Sequence, residues 1–254
     1  MLQVLRLRRV IGESSVMVKT DSYQAAESAF QTILDNRKAL QKYIEAYPEF
    51  LFALDPIAEC HTAPEVVLRM SSAAEEANVG PMAAVAGALA DLATEAMIAQ
   101  GADIAVVENG GEISVRNDAR LDVAIGSGES PVSGRLGFRI LQRDLPLGLA
   151  TSSGTVGHAL SFGFADSATV IAEDATLADA AATAVCNAVK GDDADDSIRK
   201  GLEVAQQIRG VRGALIVRGD HVGTIGQLPR MITISPLQDQ PAPDAVLKPV
   251  CQSF

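Results

Sequence analysis

Alternation of apolar and polar residues marks the strands of this chain. Residues 3–19 alternate in this way and predict a β-hairpin around Gly12. Short apolar runs separated by glycine-rich turns predict five more strands in the middle of the chain, at 103–107, 112–116, 121–125, 136–141 and 167–172. Near the end, runs at 213–217, 221–225 and 231–234 predict a β-meander with a tight turn at Gly219-Asp220.

Helical spacing of apolar residues marks the remaining segments. The longest predicted helix covers 22–47, with Asp21 or Ser22 as its cap. Pro48 and Pro56 then bracket a linker predicted to be non-helical. Further helices are predicted at 64–78, at 82–100, at 176–190 and at 195–208.

The order of these elements predicts the fold class. Helices cluster early and strands follow, without the strict alternation of a parallel doubly wound sheet. We therefore predict an α+β fold with a largely antiparallel sheet. We interpret residues 1–254 as one domain, with a loosely ordered tail over 236–254 that contains several prolines.

Composition narrows the classes of partner. The formal net charge of −11 disfavours nucleic acid, which requires a basic surface. We expect no membrane span, because uninterrupted apolar runs in the sequence are shorter than a bilayer requires. The three cysteines are far apart and form no CxxC pair, which favours a reducing, cytoplasmic location. The alanine-rich helices fit tight packing either within one chain or across a homodimer.

Three glycine-containing segments have an unusual composition that would suit ligand binding. The small residues of 79–88 fit either helix packing, which we favour, or close approach of a ligand. Gly110-Gly111, beside Glu112, fits a hairpin turn or leaves room for a flat ligand. The segment 150–158 fits a structural loop or a phosphate nest, and it holds Thr151, Ser152, Ser153, Gly154, Thr155 and His158.

Asp179 and Thr183 are the candidate metal ligands. They are four residues apart and so share one face of a predicted helix whose neighbours are mostly alanine. A carboxylate and a hydroxyl are hard oxygen ligands suited to Mg²⁺. The alternative is an aspartate that favours the helix dipole. A catalytic triad of Ser152, His158 and Asp179 is not supported, because no G-x-S-x-G turn is present.

Taken in order, these segments resemble the FAD:protein FMN transferase (ApbE-like) superfamily. The glycine-containing helix start spans Gly80 to Asp91, Gly110-Gly111 is similar to the family's diglycine, and residues 151–154 are similar to its T-S-G motif. The most specific string is ADAAATA over 178–184. The resemblance extends over residues 15–235.

The resemblance implies an ApbE-like flavin-transferase scaffold with FAD or FMN as cofactor and Mg²⁺ on the flavin pyrophosphate. It implies Asp179 and Thr183 as metal ligands, and flavin contacts from Gly110, Gly111 and Glu112 together with Ser153, Gly154 and Thr155. It also implies catalytic roles for Thr151, Ser152 and His158, and an acceptor protein that receives FMN on a Thr or Ser hydroxyl.

The chain departs from the family pattern at several positions. Ala86 replaces a lysine, Glu112 replaces an aspartate, and the histidine loop is shortened to about 158–166. Three hypotheses therefore stand. The chain is a Mg²⁺-dependent enzyme that transfers FMN or hydrolyses FAD, a non-catalytic flavin- or nucleotide-binding protein, or an enzyme that acts on another small molecule.

Overall fold

The computed structural model describes residues 4–57, 62–117, 120–128, 130–154 and 163–234. In chain order, its elements are β1 (Leu5–Ile11), β2 (Ser14–Thr20), α1 (Tyr23–Ala46), α2 (Glu49–Phe52), α3 (Glu65–Ala77), a 3₁₀ turn (Pro81–Ala84), α4 (Val85–Ala99), β3 (Ala105–Asn109), β4 (Glu112–Val115), β5 (Leu121–Ala124), β6 (Leu136–Ile140), a 3₁₀ turn (Gln142–Asp144), β7 (Leu147–Ser152), β8 (Ser167–Ala172), α5 (Ala175–Ala188), α6 (Ala194–Gln207), β9 (Val211–Arg218), β10 (His221–Gly226) and β11 (Arg230–Thr233).

Two antiparallel sheets form the β-structure. The large sheet has eight strands in the order β1-β2-β3-β4-β7-β8-β9-β10, and the small sheet has the order β11-β6-β5. Every strand pair in the described residues is antiparallel. The predicted α+β class with a largely antiparallel sheet is confirmed.

The large sheet is covered on both faces by different layers. Side chains at alternate strand positions, such as Val107, Val170 and Ile216, pack with the helices in one core. The intervening positions, such as Val106 and Ile171, pack in a second core with the small sheet. The strand pattern thus encodes three layers: helices, large sheet and small sheet.

Three predictions about elements were wrong. β7 begins at Leu147 and includes Thr151 and Ser152, which we had assigned to a loop. β11 does not continue a meander with β10, because it pairs with β6 in the small sheet. The linker between Pro48 and Pro56 contains the short helix α2. The predicted tail over 236–254 lies outside the described residues.

By length and composition alone, the segment Pro81–Ala99 could cross a membrane. In this fold it packs against α1, α5 and β3. Its apolar character is therefore accounted for by contacts within the protein.

A buried carboxylate joins this central helix to its neighbours. Asp91 on α4 is only 1% exposed. One oxygen accepts hydrogen bonds from Ser114 Oγ on β4 (2.7 Å) and from the Ala175 amide (3.2 Å). The other accepts from the amide (2.8 Å) and the hydroxyl (2.6 Å) of Thr176.

Asp91 therefore binds the N-terminus of α5 from outside that helix. The free amides of a helix N-terminus favour negative charge, and here a neighbouring helix supplies it. Arg116 lies 3.3 Å from the same carboxylate and offsets part of its charge. The result is a tie between α4, β4 and α5 that fixes where α5 begins.

We expect Asp91→Ala to lower the free energy of unfolding by about 3–5 kcal/mol, because it leaves buried donors and Arg116 without their acceptor. Urea denaturation followed by circular dichroism measures this. Glu75→Ala, at an exposed position on α3, is the matched control and should change stability little. An Asp91→Ala protein as stable as that control would contradict the role given to the tie.

Candidate functional site

One face of α5 carries three polar side chains. The helix is capped by Asp174, which accepts a hydrogen bond from the Leu177 amide at 2.8 Å. Asp179, Thr183 and Asn187 follow at intervals of four residues and share a face. Asp179 lies beyond the first turn, and Asp174 already provides the N-terminal negative charge. The helix dipole therefore does not account for Asp179.

Asp179 meets the start of α4. Its Oδ2 accepts a hydrogen bond from the Gly87 amide at 2.9 Å, and the Ala86 amide also donates to this carboxylate. A Cβ at Gly87 would lie 2.1 Å from the Ala175 carbonyl oxygen, so only glycine allows this approach of the two helices. The packing role that we favoured for the small residues of 79–88 is confirmed at Gly87.

The predicted diglycine forms the turn between β3 and β4. Gly110 and Gly111 have φ values of 76° and 126°, and Asn109 pairs with Glu112 across the turn. Positive φ at both positions explains the glycines. A Cβ at Gly111 would meet nothing within 4 Å, so the turn also leaves open space above it.

Glu112 and Asp179 form a pair of carboxylates with too little positive charge nearby. Burial raises the pKa of Glu112 to about 7, and repulsion from Glu108 adds to the shift. Burial raises the pKa of Asp179 well above its ordinary value, and repulsion from Glu112 is the next largest cause. A cation between the two carboxylates would relieve both effects.

Two clefts meet at the turn between β3 and β4, beside Glu112. The first, the strand cleft, has a volume of about 760 Å³ and lies between the large sheet and β5, with Glu108, Glu112 and Ser152 among its lining residues. The second, the helix cleft, has a volume of about 850 Å³ and is lined by Phe52, Met82, Leu89 and Thr183 among others. Glu13 and Gly110 line both clefts.

The hydroxyl segment closes one end of the strand cleft. Thr151 and Thr169 share a hydrogen bond of 2.8 Å between their hydroxyls. Ser152 Oγ is buried and has no hydrogen-bond partner among the described residues. Ser153 also lines the cleft. A buried hydroxyl without a partner is costly unless a ligand or water satisfies it.

The structure describes only one of the three remaining predicted site residues, Gly154. The Gly154 amide donates to the Ala165 carbonyl at 3.0 Å, where the chain enters the histidine loop. Thr155 and His158 lie outside the described residues.

The oxygen donors near the cleft junction fit Mg²⁺. Asp179 and Glu112 supply carboxylates, and Thr183 supplies a hydroxyl one turn along α5. Across the described ranges, no group of three or more His, Cys, Asp or Glu side chains is close enough to hold a metal by itself. This donor set suits an ion that keeps several waters and shares its coordination with a phosphate ligand, as Mg²⁺ does.

Sequence reasoning missed two basic residues of the strand cleft, Arg6 and Lys19. The signal was present in the alternation of β2, because Val16 and Val18 face the helices and Lys19 therefore faces the other way. Asn187, which lines the helix cleft, was also missed, although its spacing from Thr183 repeats that of Asp179.

Comparison with known proteins identifies the family. A family model described as AbpE bacteria matches residues 2–214. The chain belongs to this family. A UPF0280 protein of Methanopyrus kandleri is 42% identical over 241 residues, which cover 93% of this chain and 96% of the relative. A UPF0280 protein of Methanocaldococcus jannaschii is 41% identical over 229 residues, or 89% and 92% of the two chains.

Solved structures share the fold at low sequence identity. The apo form of the Pseudomonas stutzeri flavinyl transferase ApbE has a TM-score of 0.59 and is 15% identical, with 88% of this chain and 94% of that chain covered. The ApbE protein of Thermotoga maritima has a TM-score of 0.55 and is 17% identical, with 87% and 96% covered. The predicted ApbE-like flavin-transferase fold is confirmed.

We expect Glu112→Gln to stabilise the metal-free protein increasingly as pH rises. The folded-state pKa of Glu112, about 7, exceeds the ordinary value of 4.5, so the native state holds this proton more tightly and loses stability between those two values. The neutral amide removes that loss, which is worth about 3 kcal/mol at most.

Urea titrations in EDTA at a series of pH values measure the difference between Glu112→Gln and the wild type. The exposed Glu45→Gln on α1 is the control and should give a flat difference. A difference for Glu112→Gln that does not grow between pH 4.5 and about 7 would contradict the burial of this charge.

Proposed function

We propose that this protein is a Mg²⁺-dependent enzyme that acts on FAD, dividing it into AMP and FMN and passing FMN to a hydroxyl group or to water. The observation that carries this proposal is that two clefts share Gly110, next to Glu112, whose carboxylate and that of Asp179 both have raised pKa values. The flavinyl transferase named among the similar structures supports it through the shared fold.

FAD has the shape that such a pair of clefts requires. It carries two flat ring systems joined through a pyrophosphate, which is the part that binds Mg²⁺. The helix cleft offers apolar walls from Met82, Val85 and Leu89, and the strand cleft offers a sheet floor with polar edges. In this arrangement the pyrophosphate lies at the junction near Gly110.

The residues around the junction have two roles in the proposed reaction: some bind the metal, and others position a metal ligand. Asp179, Thr183 and Glu112 hold the metal, and the Ala86 and Gly87 amides keep the Asp179 carboxylate in place. Bound Mg²⁺ supplies charge neutralisation at the phosphoryl group during cleavage of the anhydride bond.

The hydroxyl segment fits the role of positioning the reacting groups. Ser152 Oγ, buried and without a partner, donates a hydrogen bond to a phosphate oxygen. Thr151 is a further candidate at the same end of the cleft, although its hydroxyl already pairs with Thr169. We propose His158 as the group that takes the proton of the attacking hydroxyl or water. The acceptor is a Thr or Ser hydroxyl of a partner protein, and we place the reaction in the cytoplasm.

A second candidate is a flavin-binding protein without turnover. It is favoured by Ala86, which places no cation at the start of α4 and instead offers its carbonyl to Asn109 Nδ2 at 3.0 Å. Both candidate functions use the same metal and flavin site, but only the enzyme releases AMP.

We expect wild-type protein to bind FAD more tightly with Mg²⁺ than with EDTA, and Asp179→Asn to lose that difference. Losing one charge-assisted ligand should weaken binding roughly 10- to 100-fold. Thr183→Val, which removes only the hydroxyl, should have a smaller effect in the same direction. Calorimetric titration measures all three proteins.

Glu173→Gln is the control for this titration, because Glu173 is an exposed carboxylate just before the cap of the same helix. It should bind FAD as the wild type does. An assay for AMP then separates the candidates: Mg²⁺-dependent release supports the enzyme, and binding without release supports the non-catalytic protein. Absence of FAD binding in every condition would overturn both.

A further inference from the structure

Two basic side chains face each other on the floor of the strand cleft. Arg6 on β1 and Lys19 on β2 are directly opposite in the antiparallel register. Both line the strand cleft. Like charges in directly opposite positions destabilise a strand pair, so packing alone does not explain this choice.

Lys19 is buried and has no acidic partner in the part of the chain that the structure describes. It is only 8% exposed, and its Nζ donates one hydrogen bond, to the Arg120 carbonyl at 2.9 Å. Within the described ranges, neither Lys19 nor Arg6 forms an ion pair with a carboxylate. Burial, followed by repulsion from Arg6, lowers the pKa of Lys19.

Three of the acidic side chains that line the strand cleft already have a hydrogen-bond or ion-pair partner in the protein. Asp122 accepts two hydrogen bonds from Arg139, each of 2.7 Å. Glu13 pairs with Arg37. Asp166 accepts from the Gly219 amide at 2.6 Å.

The remaining two carboxylates lie on the acidic side of the cleft. Glu108 sits opposite Met17, one diagonal step from Lys19, and yet forms no ion pair with it. It acts instead on Glu112 and raises the pKa of that group. The cleft is thus divided into an acidic side at β3–β4 and a basic side at β1–β2.

In a purely structural role, Lys19 would only link β2 by a hydrogen bond to the segment that leads into β5. A neutral donor would satisfy the Arg120 carbonyl equally well. A buried ammonium without a counterion is instead destabilising, because a single carbonyl does not replace the hydration that the charge loses. A protein with a net charge of −11 has many carboxylates with which to offset that cost.

We propose that Arg6 and Lys19 form a binding subsite for an oxyanion, a phosphate or carboxylate group of a substrate, on the β1–β2 side of the strand cleft. The guanidinium presents a planar pair of donors, and the ammonium supplies a point charge. The subsite is separate from the Glu112–Asp179 pair and needs no metal. It therefore does not depend on the proposed function.

Calorimetric titration with inorganic phosphate, in EDTA and at low ionic strength, tests the subsite. We expect wild-type protein to bind phosphate, and Lys19→Met and Arg6→Gln each to weaken binding roughly tenfold or more, as loss of a charge-assisted hydrogen bond predicts. Arg8→Gln is the matched control, because Arg8 is an exposed cation on the same face of β1 that does not line the cleft. It should bind phosphate nearly as the wild type does.

The stability of the ligand-free variants distinguishes a binding role of Lys19 from a purely structural one. We expect Lys19→Met to raise the melting temperature without phosphate, since an apolar side chain replaces an uncompensated charge. A melting temperature that falls while phosphate binding persists would establish the purely structural role and overturn the proposal. Equal weakening by Arg8→Gln, or no phosphate binding by the wild type, would also overturn it. Arg6→Gln, at an exposed position, keeps the test open if Lys19→Met does not fold.

Two further titrations identify the source of the oxyanion. Asp179→Asn should bind phosphate normally, so failure of the metal site and failure of this subsite give different results. If FAD displaces phosphate from the wild type, the flavin nucleotide supplies the oxyanion. If phosphate binds equally well in the presence of FAD, a second substrate supplies it. Both results support the subsite, and acetate in place of phosphate tests the preference for a carboxylate.

Discussion

The position of α5 depends on one buried interaction, the capture of its N-terminus by Asp91. The carboxylate accepts hydrogen bonds from Ala175 and Thr176 and also binds Ser114 on β4. One carboxyl group thus accepts from the first amides of a helix, joins it to a second helix and anchors both to the large sheet. Because α5 is held at its first turn, the residues farther along it have fixed positions.

The candidate site follows from that constraint. Gly87 lets α4 approach α5 closely, and its amide then holds Asp179. Glu112, which follows the turn between β3 and β4, repels Asp179 electrostatically. Two carboxylates are thereby held near each other with raised pKa values, a state that is costly in the absence of a cation. Functional sites commonly retain such costs because the ligand removes them.

Charge in the strand cleft is separated rather than neutralised. Elsewhere, the described carboxylates of this acidic chain frequently find arginine partners, as Glu27 does with Arg9 and Glu95 with Arg69. Lys19 and Glu108 are diagonal neighbours on the sheet and do not pair. A cleft with opposite charges at its two sides suits a ligand, or a pair of ligands, with its own separated charges.

The sequence by itself determined the α+β class, most helix and strand positions, and the resemblance that named Asp179 and Thr183. These follow from local periodicity and from short strings, which a chain carries without reference to its partners in space. Only the tertiary structure decided that β11 joins β6, because pairing of distant strands has no local signal. It also decided that Lys19 and Arg6 face one cleft and that Asp91 binds the first amides of a helix that begins 84 residues later. Burial and charge balance are properties of the packed chain, so the electrostatics of the site could be known only after the layers were assembled.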